Sequence, residues 1–327
     1  MKIAILDDYQ NALSHLDCRI RLAGLDVQVF TDIVTDRARL AERLRPFDTL
    51  VPTRGRTRFD AALLAALPNL RRIVQTGHAA EHIDLAACTR LGIAVAADGQ
   101  AVEGAAELTF ALILAASRDL VGQSLALRAG RWQTFCGRRL AGRTLGIIGL
   151  GRIGTRVASY AQAFGMKVLA LGDRPRSRQR ALEAGYEVAG DKREVLATAD
   201  VVVLQQRLTA DTRHALGLGD LLAMKPDALL VNTARAELIA PGALVEALRQ
   251  GRPGFAALDV FETEPLTDTT HPLLGLPNVL CTPHLGYAER DTLDYYYALA
   301  FEQLHAFAAG RPVTLLNPEA TAASAPD

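Results

Sequence analysis

A chain of 327 residues is long enough for two domains with complete hydrophobic cores, and half of its residues are hydrophobic. Its 36 basic and 36 acidic side chains balance, so neither nucleic acid nor an anionic membrane is expected as a partner. No apolar stretch reaches the ~20 residues that span a bilayer. Acidic residues at positions 7 and 8 come too early for a secretory signal, so a cytoplasmic protein is expected.

The first third of the chain alternates short apolar runs with helical patterns, which predicts a parallel α/β sheet. Strands are predicted at residues 3–6, 27–30, 49–51, 72–75 and 93–95, and helices at 59–67 and 83–91. Asp7, Asp8 and Tyr9 follow the first strand, where a nucleotide-binding sheet would carry glycines. This first sheet is therefore predicted to lack a pyrophosphate site.

A glycine-rich motif, GLGRIG at residues 149–154, follows an apolar strand at 145–148 and opens a predicted helix at 152–164. In this position a G-x-G-x-x-G triplet is typical of a dinucleotide site. Glycines let the backbone approach the pyrophosphate, and the helix N-terminus supplies free N–H groups. Asp173 follows the next predicted strand, 19 residues after the last glycine, where an acid would bind a ribose hydroxyl.

The remaining elements complete an α/β architecture. A long apolar helix is predicted at residues 101–120, six strands at 145–148, 168–171, 201–204, 228–231, 255–258 and 279–281, and a last helix at 291–307. We expect two doubly wound parallel-sheet domains, with a Rossmann domain at 99–287 inserted into a flavodoxin-like domain at 1–98 and 288–327. The active site is expected in the cleft between them, and the tail at 319–327 is expected to be disordered.

The four cysteines, Cys18, Cys88, Cys136 and Cys281, contain no C-x-x-C pair, so neither a disulfide framework nor a zinc site is predicted. The spacing of Cys281 and His284 would suit a metal, but no further ligands lie near. A buried thiol is the favoured interpretation, and no metal is expected.

Three predicted strand ends carry side chains suited to proton and hydride chemistry: Arg235, Glu264 and His284. A guanidinium can grip both the carboxylate and the ketone oxygen of a 2-oxo acid, and a histidine can exchange the proton that accompanies hydride transfer. An acid beside that histidine favours its protonated form and fixes its orientation. Taken singly, each residue could be a salt-bridge partner, a helix cap or a structural histidine. Together, after a nucleotide motif, they indicate a catalytic site.

From about Thr53 to Gly310 the chain resembles the D-specific 2-hydroxyacid dehydrogenase family, which includes phosphoglycerate, formate and glyoxylate/hydroxypyruvate dehydrogenases. The resemblance is carried, in order and spacing, by LGIIGLGRIG (145–154), NTARAE (232–237), LDVFETEP (258–265) and TPHLG (282–286). It implies NAD(P)-dependent hydride transfer between nicotinamide and a D-2-hydroxy acid or 2-oxo acid, with Arg235, Glu264 and His284 as the catalytic trio. It also implies a homodimer that is formed through long inter-domain helices.

The resemblance further implies the binding residues. The loop QTGHA at 75–79 resembles the family loop whose backbone amides receive the substrate carboxylate. The substrate-binding residues are expected to be Thr76, Gly77, His78 and Arg235. The cofactor-binding residues are expected to be Gly149, Gly151, Arg152, Ile153, Gly154, Asp173, Arg174, Arg207, Thr233, Ala234, Asp259 and Gly286.

The cofactor choice stays open at the end of the second strand of the nucleotide domain. The family's ribose-binding acid would fall on Gly172, one residue before Asp173. An acid here favours NAD, whereas Arg174, Arg176 and Arg178 favour the 2′-phosphate of NADP or form a solvated basic face. We expect NAD, with NADP as the alternative.

Further departures concern the substrate and the class of function. Gln205 and Arg207 stand where many members have a histidine–proline pair, and Tyr287 stands where a small residue is common. His78 could line the pocket or face solvent, and Arg54 could attract a carboxylate or belong to a surface cluster. A dinucleotide-regulated binding protein, such as a corepressor with little turnover, is the alternative function for the same fold.

Overall fold

A computed structural model describes residues 1–322 of the chain, which divides into two compact units. The first unit comprises Met1–Ala101 and Ala288–Asp327, and the second comprises Val102–Tyr287.

The first unit begins with a five-stranded parallel sheet in the order β2-β1-β3-β4-β5, which is the flavodoxin-like order. Asp36, Asp60 and Asp84 each cap the helix that follows, by accepting a hydrogen bond from a backbone N–H three residues on. The elements are β1 (Lys2–Leu6), β2 (Asp26–Val29), α1 (Arg37–Leu44), β3 (Thr49–Pro52), α2 (Ala61–Ala65), β4 (Arg72–Thr76), α3 (Leu85–Arg90) and β5 (Ala94–Asp98).

The second unit contains a seven-stranded parallel sheet. Its elements are α4 (Glu103–Arg118), α5 (Leu120–Arg128), β6 (Thr144–Ile148), α6 (Arg152–Ala163), β7 (Lys167–Leu171), α7 (Pro175–Glu183), β8 (Glu187–Ala189), α8 (Lys192–Thr198), β9 (Val201–Leu204), α9 (Leu218–Leu222), β10 (Leu229–Asn232), α10 (Ala243–Arg249), β11 (Phe255–Leu258) and β12 (Val279–Cys281). The strand order is β12-β11-β10-β9-β6-β7-β8, so the switch point lies between β6 and β9. The prediction of two doubly wound parallel sheets is confirmed.

The sequence predicts six strands for this sheet, and the seventh is β8. It has only three residues, at the edge of the sheet, and its exposed Glu187 interrupts any apolar run. The central strands β9 and β10 are buried on both faces, which is why their sequences are apolar except for Asn232 at the end of β10.

The helix predicted at about 101–120 corresponds to α4, which ends where Asp119 adopts a left-handed conformation (φ 48°), and the following helix α5 was not predicted. Among the described residues, no single helix is long and apolar enough to cross a membrane. The pair α4 and α5 reaches the required length and composition, but is bent by 55°.

The chain ends in the first unit with α11 (Arg290–Ala308) and α12 (Glu319–Ala322). The disorder predicted at 319–327 is therefore wrong for 319–322, and residues 323–327 lie outside the described part. The buried side chain of Asn317 explains this order, because it bonds the backbone of Val95 and Ile93 at 2.8 and 2.9 Å.

Candidate active site

The glycine motif forms the turn between β6 and α6, and close packing requires two of its three glycines. Gly149 has φ +109°, and a Cβ there would lie 2.5–2.6 Å from backbone atoms of Gln205 and Gln206. A Cβ at Gly154 would overlap the carbonyl oxygen of Gly149. Nothing lies within 4 Å of a Cβ at Gly151, which is the N-cap of α6.

The N-terminus of α6 is free to bind an anion. Gly151 supplies no side-chain cap, and the N–H groups of Arg152 and Ile153 donate to no acceptor within residues 1–322. Free N–H groups, the positive end of the helix dipole and open space before them suit a pyrophosphate. The residues present therefore fit a nicotinamide dinucleotide.

The end of β7 presents one acid and several arginines. A Cβ at Gly172 would overlap the side chain of Val188 on β8, so an acid at this position would require that side chain to shift. Asp173 and Arg174 are exposed, and neither forms an ion pair within the described chain. Asp173 is therefore the acid available to a ribose at this edge. The exposed Arg176 and Arg178 follow on α7.

The three strand ends that carry the predicted trio lie side by side. Asn232 pairs with Leu258, and Leu258 pairs with Cys281, so β10, β11 and β12 end at the same level of the sheet. Ligands of open α/β sheets bind at this carboxyl edge. The register therefore brings the loops 233–235, 259–265 and 282–286 to one edge.

Glu264 and His284 are in direct contact. Oε2 of Glu264 lies 2.5 Å from Nδ1 of His284, and Oε1 accepts a hydrogen bond from the N–H of Phe261 at 2.9 Å. Both side chains are about 30% exposed. The carboxylate thus fixes one imidazole nitrogen and leaves Nε2 for exchange with another molecule.

Asp259 holds the loop on which His284 lies. His284 has a left-handed backbone (φ 52°), which is uncommon for a residue other than glycine. Asp259 accepts hydrogen bonds from the Thr282 hydroxyl and from the N–H groups of Leu285 and Gly286, at 2.5, 2.7 and 3.0 Å. Burial raises the pKa of Asp259 above its ordinary value, while these hydrogen bonds and His284 act in the opposite direction.

Arg235 lies on the neighbouring loop, half-buried. Its Nη1 donates to the Ala234 carbonyl at 2.7 Å, and the Asn232 side chain bonds backbone groups of both Ala234 and Arg235. Arg235 forms no ion pair with any carboxylate within residues 1–322. These hydrogen bonds hold the loop conformation, and the guanidinium charge stays available for a ligand.

In the first unit, the loop after β4 has the properties expected of a carboxylate site. His78 donates its N–H to the Gly99 carbonyl, whereas the N–H groups of Gly77 and Ala79 have no acceptor among residues 1–322. Arg54 donates to the Thr76 carbonyl at 3.1 Å and stacks on Tyr296, with its guanidinium in the space that a Cβ at Gly77 would fill. Arg54 therefore adds positive charge to this loop.

Two polar side chains at the cofactor edge were given no role by the sequence. Thr109, on the apolar face of α4, and Gln205, after β9, both bond the Thr233 hydroxyl. The sequence feature that could have indicated a role for Thr109 is its hydroxyl on an otherwise apolar helix face. Arg207 is exposed, and within residues 1–322 only its carbonyl is engaged, by the Thr212 hydroxyl.

The four cysteines are free thiols. Burial raises the pKa of the Cys281 thiol to about 11, so it stays protonated at neutral pH. Among the described residues, no group of three or more His, Cys, Asp or Glu side chains is arranged to hold a metal.

Comparisons with known proteins identify similar chains. The model of the D-isomer specific 2-hydroxyacid dehydrogenase family, NAD binding domain, matches residues 110–286. The glyoxylate reductase of Aeropyrum pernix is 41% identical over 273 residues, which cover 80% of this chain and 81% of the relative. The D-3-phosphoglycerate dehydrogenase of Methanocaldococcus jannaschii is 38% identical over 283 residues, or 85% of this chain. This covers only 53% of that relative, so the chain spans about half of its length.

A solved structure shows the same fold over nearly the whole chain. The crystal structure of a phosphoglycerate oxidoreductase from Vibrio cholerae o395 has a TM-score of 0.91 and 50% sequence identity. The match covers 95% of this chain and 99% of that one.

Proposed function

Because the chain belongs to the D-isomer specific 2-hydroxyacid dehydrogenase family, we propose that Arg235, Glu264 and His284 carry out its reaction. The activity is hydride transfer between a nicotinamide dinucleotide and a D-2-hydroxy acid or its 2-oxo acid, at the CH–OH group. The comparisons support this enzyme and not the dinucleotide-regulated binding protein.

The contact between Glu264 and His284 is the observation that carries the proposed roles. The nicotinamide dinucleotide, when bound, supplies or accepts the hydride. With Nδ1 of His284 held at 2.5 Å by Glu264, Nε2 donates a proton to the carbonyl oxygen during reduction and removes it during oxidation. The fixed carboxylate balances the charge of the protonated imidazole, and its bond to Phe261 keeps it in place.

Arg235 binds and polarises the substrate. Its guanidinium is a planar fork, which matches the carboxylate and the adjacent carbonyl oxygen of a 2-oxo acid. We assign a second carboxylate contact to residues 76–78, supported by the free N–H of Gly77 and the nearby charge of Arg54. The Aeropyrum pernix glyoxylate reductase is 41% identical over 80% of this chain, and glyoxylate is therefore the first substrate we propose.

A substrate screen tests this function. Glyoxylate, hydroxypyruvate, pyruvate and branched 2-oxo acids are mixed with NADH or NADPH, and nicotinamide absorbance is followed. Turnover of at least one acid, with the D-hydroxy acid as product, is the expected result. Tight NADH binding without turnover of any acid would contradict the proposed activity and indicate a binding protein.

We propose NAD as the preferred cofactor, and Asp173 is the residue that supports it. Its carboxylate follows β7, where it would bond a 2′-hydroxyl and repel a 2′-phosphate. The exposed Arg174, Arg176 and Arg178 are the reason that NADP remains the alternative.

A homodimer is the oligomeric state that we propose, together with a cytoplasmic location. Large apolar side chains on α5 and just after it are exposed: Leu125 by 60%, Leu127 by 58% and Trp132 by 75%. Such a surface is typical of a protein interface. Light scattering should show a dimer, and Leu125→Glu should shift it towards monomer. A monomeric wild-type protein would contradict this proposal.

A further inference from the structure

Gln205 links three elements of the second unit at the carboxyl edge of its sheet. Its Nε2 lies 2.8 Å from the Thr233 hydroxyl, at the end of β10, and 3.1 Å from the Thr109 hydroxyl, on α4. The two hydroxyls are themselves 2.6 Å apart, and Thr109 also lies 2.6 Å from the Ala105 carbonyl. Four short polar contacts therefore join three side chains and one carbonyl.

The number of hydroxyl and amide protons available determines which group donates in each contact of this network. The Ala105 carbonyl can only accept, so the Thr109 hydroxyl donates to it. Thr109 then has no proton left, so Thr233 donates to Thr109. Both hydroxyl protons are now used, so the amide N–H side of Gln205 must be the donor to both hydroxyls. The orientation of the Gln205 amide is thereby fixed, and an acceptor in its place would break the network.

The network connects the cofactor loop to the loop of Arg235. On one side, the carbonyl carbon and oxygen of Gln205 lie only 2.5 and 2.6 Å from the position that a Cβ of Gly149 would occupy. The backbone of Gln205 is therefore packed against the glycine motif. On the other side, Thr233 immediately precedes Ala234, whose carbonyl holds the Arg235 guanidinium. Thr109 is completely buried, so the network is anchored in the core of the unit.

We propose that Gln205 is a positioning residue, which acts through Thr233 to hold Arg235 in register with the glycine motif. This inference rests on the proposed function, because it gives Gln205 the task of placing the guanidinium that binds the 2-oxo acid. Its importance comes from N–H donation to both hydroxyls, which neither an apolar side chain nor a carboxylate supplies. Gln205 therefore affects binding of the oxo acid more than binding of the dinucleotide.

Gln205→Leu and Gln205→Glu test the proposal, with Gln206→Leu as the matched control. Gln206 is the adjacent glutamine, equally half-buried, and its side chain forms no hydrogen bond within residues 1–322. In Gln205→Leu, kcat/KM for the best oxo acid of the screen should fall about 10- to 100-fold, mainly through KM. The Kd for NADH, from fluorescence titration, should change by less than about threefold. Gln206→Leu should match the wild type in both.

The pH profile separates this role from a packing role. A carboxylate at 205 donates nothing, whereas a carboxylic acid donates one proton. The activity of Gln205→Glu relative to wild type should thus rise as the pH is lowered from about 8 to about 5. Gln205→Leu, which cannot titrate, should show a constant ratio to wild type. A double variant with Thr109→Val should lose less than the sum of the single losses, because both remove the same network.

Several outcomes would overturn the proposal. These are an unchanged oxo-acid KM in Gln205→Leu, an equal loss in Gln206→Leu, or a flat pH ratio for Gln205→Glu. If the screen finds no turnover, binding of oxamate, an unreactive 2-oxo acid analogue, to the NADH complex replaces KM. Unchanged oxamate affinity in Gln205→Leu refutes the positioning role alone. Absence of both turnover and oxamate binding in the wild type refutes the proposed function, and the positioning role with it.

Discussion

Substituting the first glycine of the nucleotide motif should disturb the fold and the cofactor site together. In Gly149→Ala the new Cβ would lie 2.5 Å from the carbonyl carbon of Gln205, about 0.9 Å short of ordinary contact at 3.4 Å. The neighbouring atoms are backbone, so no side chain can rotate away. The alanine must also adopt φ +109°. Strain at such a φ costs about 1–3 kcal/mol, and overpacking costs about the same again.

The expected loss of stability is therefore about 2–6 kcal/mol, or roughly 4–24 °C in Tm for a unit of this size. Thermal unfolding by circular dichroism measures it, and NADH fluorescence titration should show a Kd raised by at least about tenfold. Gly151→Ala is the control, because its Cβ meets nothing within 4 Å and its φ is ordinary. It should keep the wild-type Tm and still weaken NADH binding, since its methyl group would occupy open space at the N-terminus of α6. Equal Tm values for Gly149→Ala and the wild type would refute this reasoning.

Three further predictions concern charged groups. His284→Ala should lower kcat by about 10²- to 10⁴-fold with NADH affinity nearly unchanged, and Glu264→Gln should act in the same direction; stopped-flow and binding assays check both, and full activity of His284→Ala would remove its role as proton donor. Asp173→Ala should reduce the ratio of kcat/KM for NADH to that for NADPH, by about tenfold; a wild-type preference for NADPH would contradict our cofactor choice. Burial raises the pKa of Asp7, so its ionised form is disfavoured in the folded state, and stability should fall as pH rises from about 4 through that raised pKa. In Asp7→Asn this fall should disappear from the pH dependence of Tm, while the bond from the Thr57 hydroxyl can persist; an unaltered profile would show that Asp7 does not cause it.

The apolar runs predicted most of the fold, because buried parallel strands need both faces apolar and thus stand out in sequence. The run at 201–204 coincides with β9, and the run at 145–148 lies within β6. Short or edge elements were missed, as β8 shows, since an exposed strand needs no apolar run. Helix α5 was also missed, although α4 ends within two residues of the predicted helix end, at the left-handed Asp119.

The sequence also determined which chemical groups lie at the carboxyl edge, since strand ends can be located from the strands themselves. Arg235, Glu264 and His284 follow from the positions of their strands along the chain, although their roles remain predictions. What the sequence could not give was the contact between Glu264 and His284, because 20 residues separate them and only the register of β11 and β12 brings their loops together.

The long-range hydrogen bonds between side chains are determined by the tertiary structure alone. In the sequence, Gln205 is a departure from a family pattern, and Thr109 is one more residue on an apolar helix face. Their partnership with Thr233 depends on β9, β10 and α4 meeting at one point, across 124 residues of chain. Local propensity and periodicity carry no information about such separations, whereas directional hydrogen bonds depend on them entirely. The sequence thus determined the fold class and the chemical groups, and packing decided which of those groups bond one another.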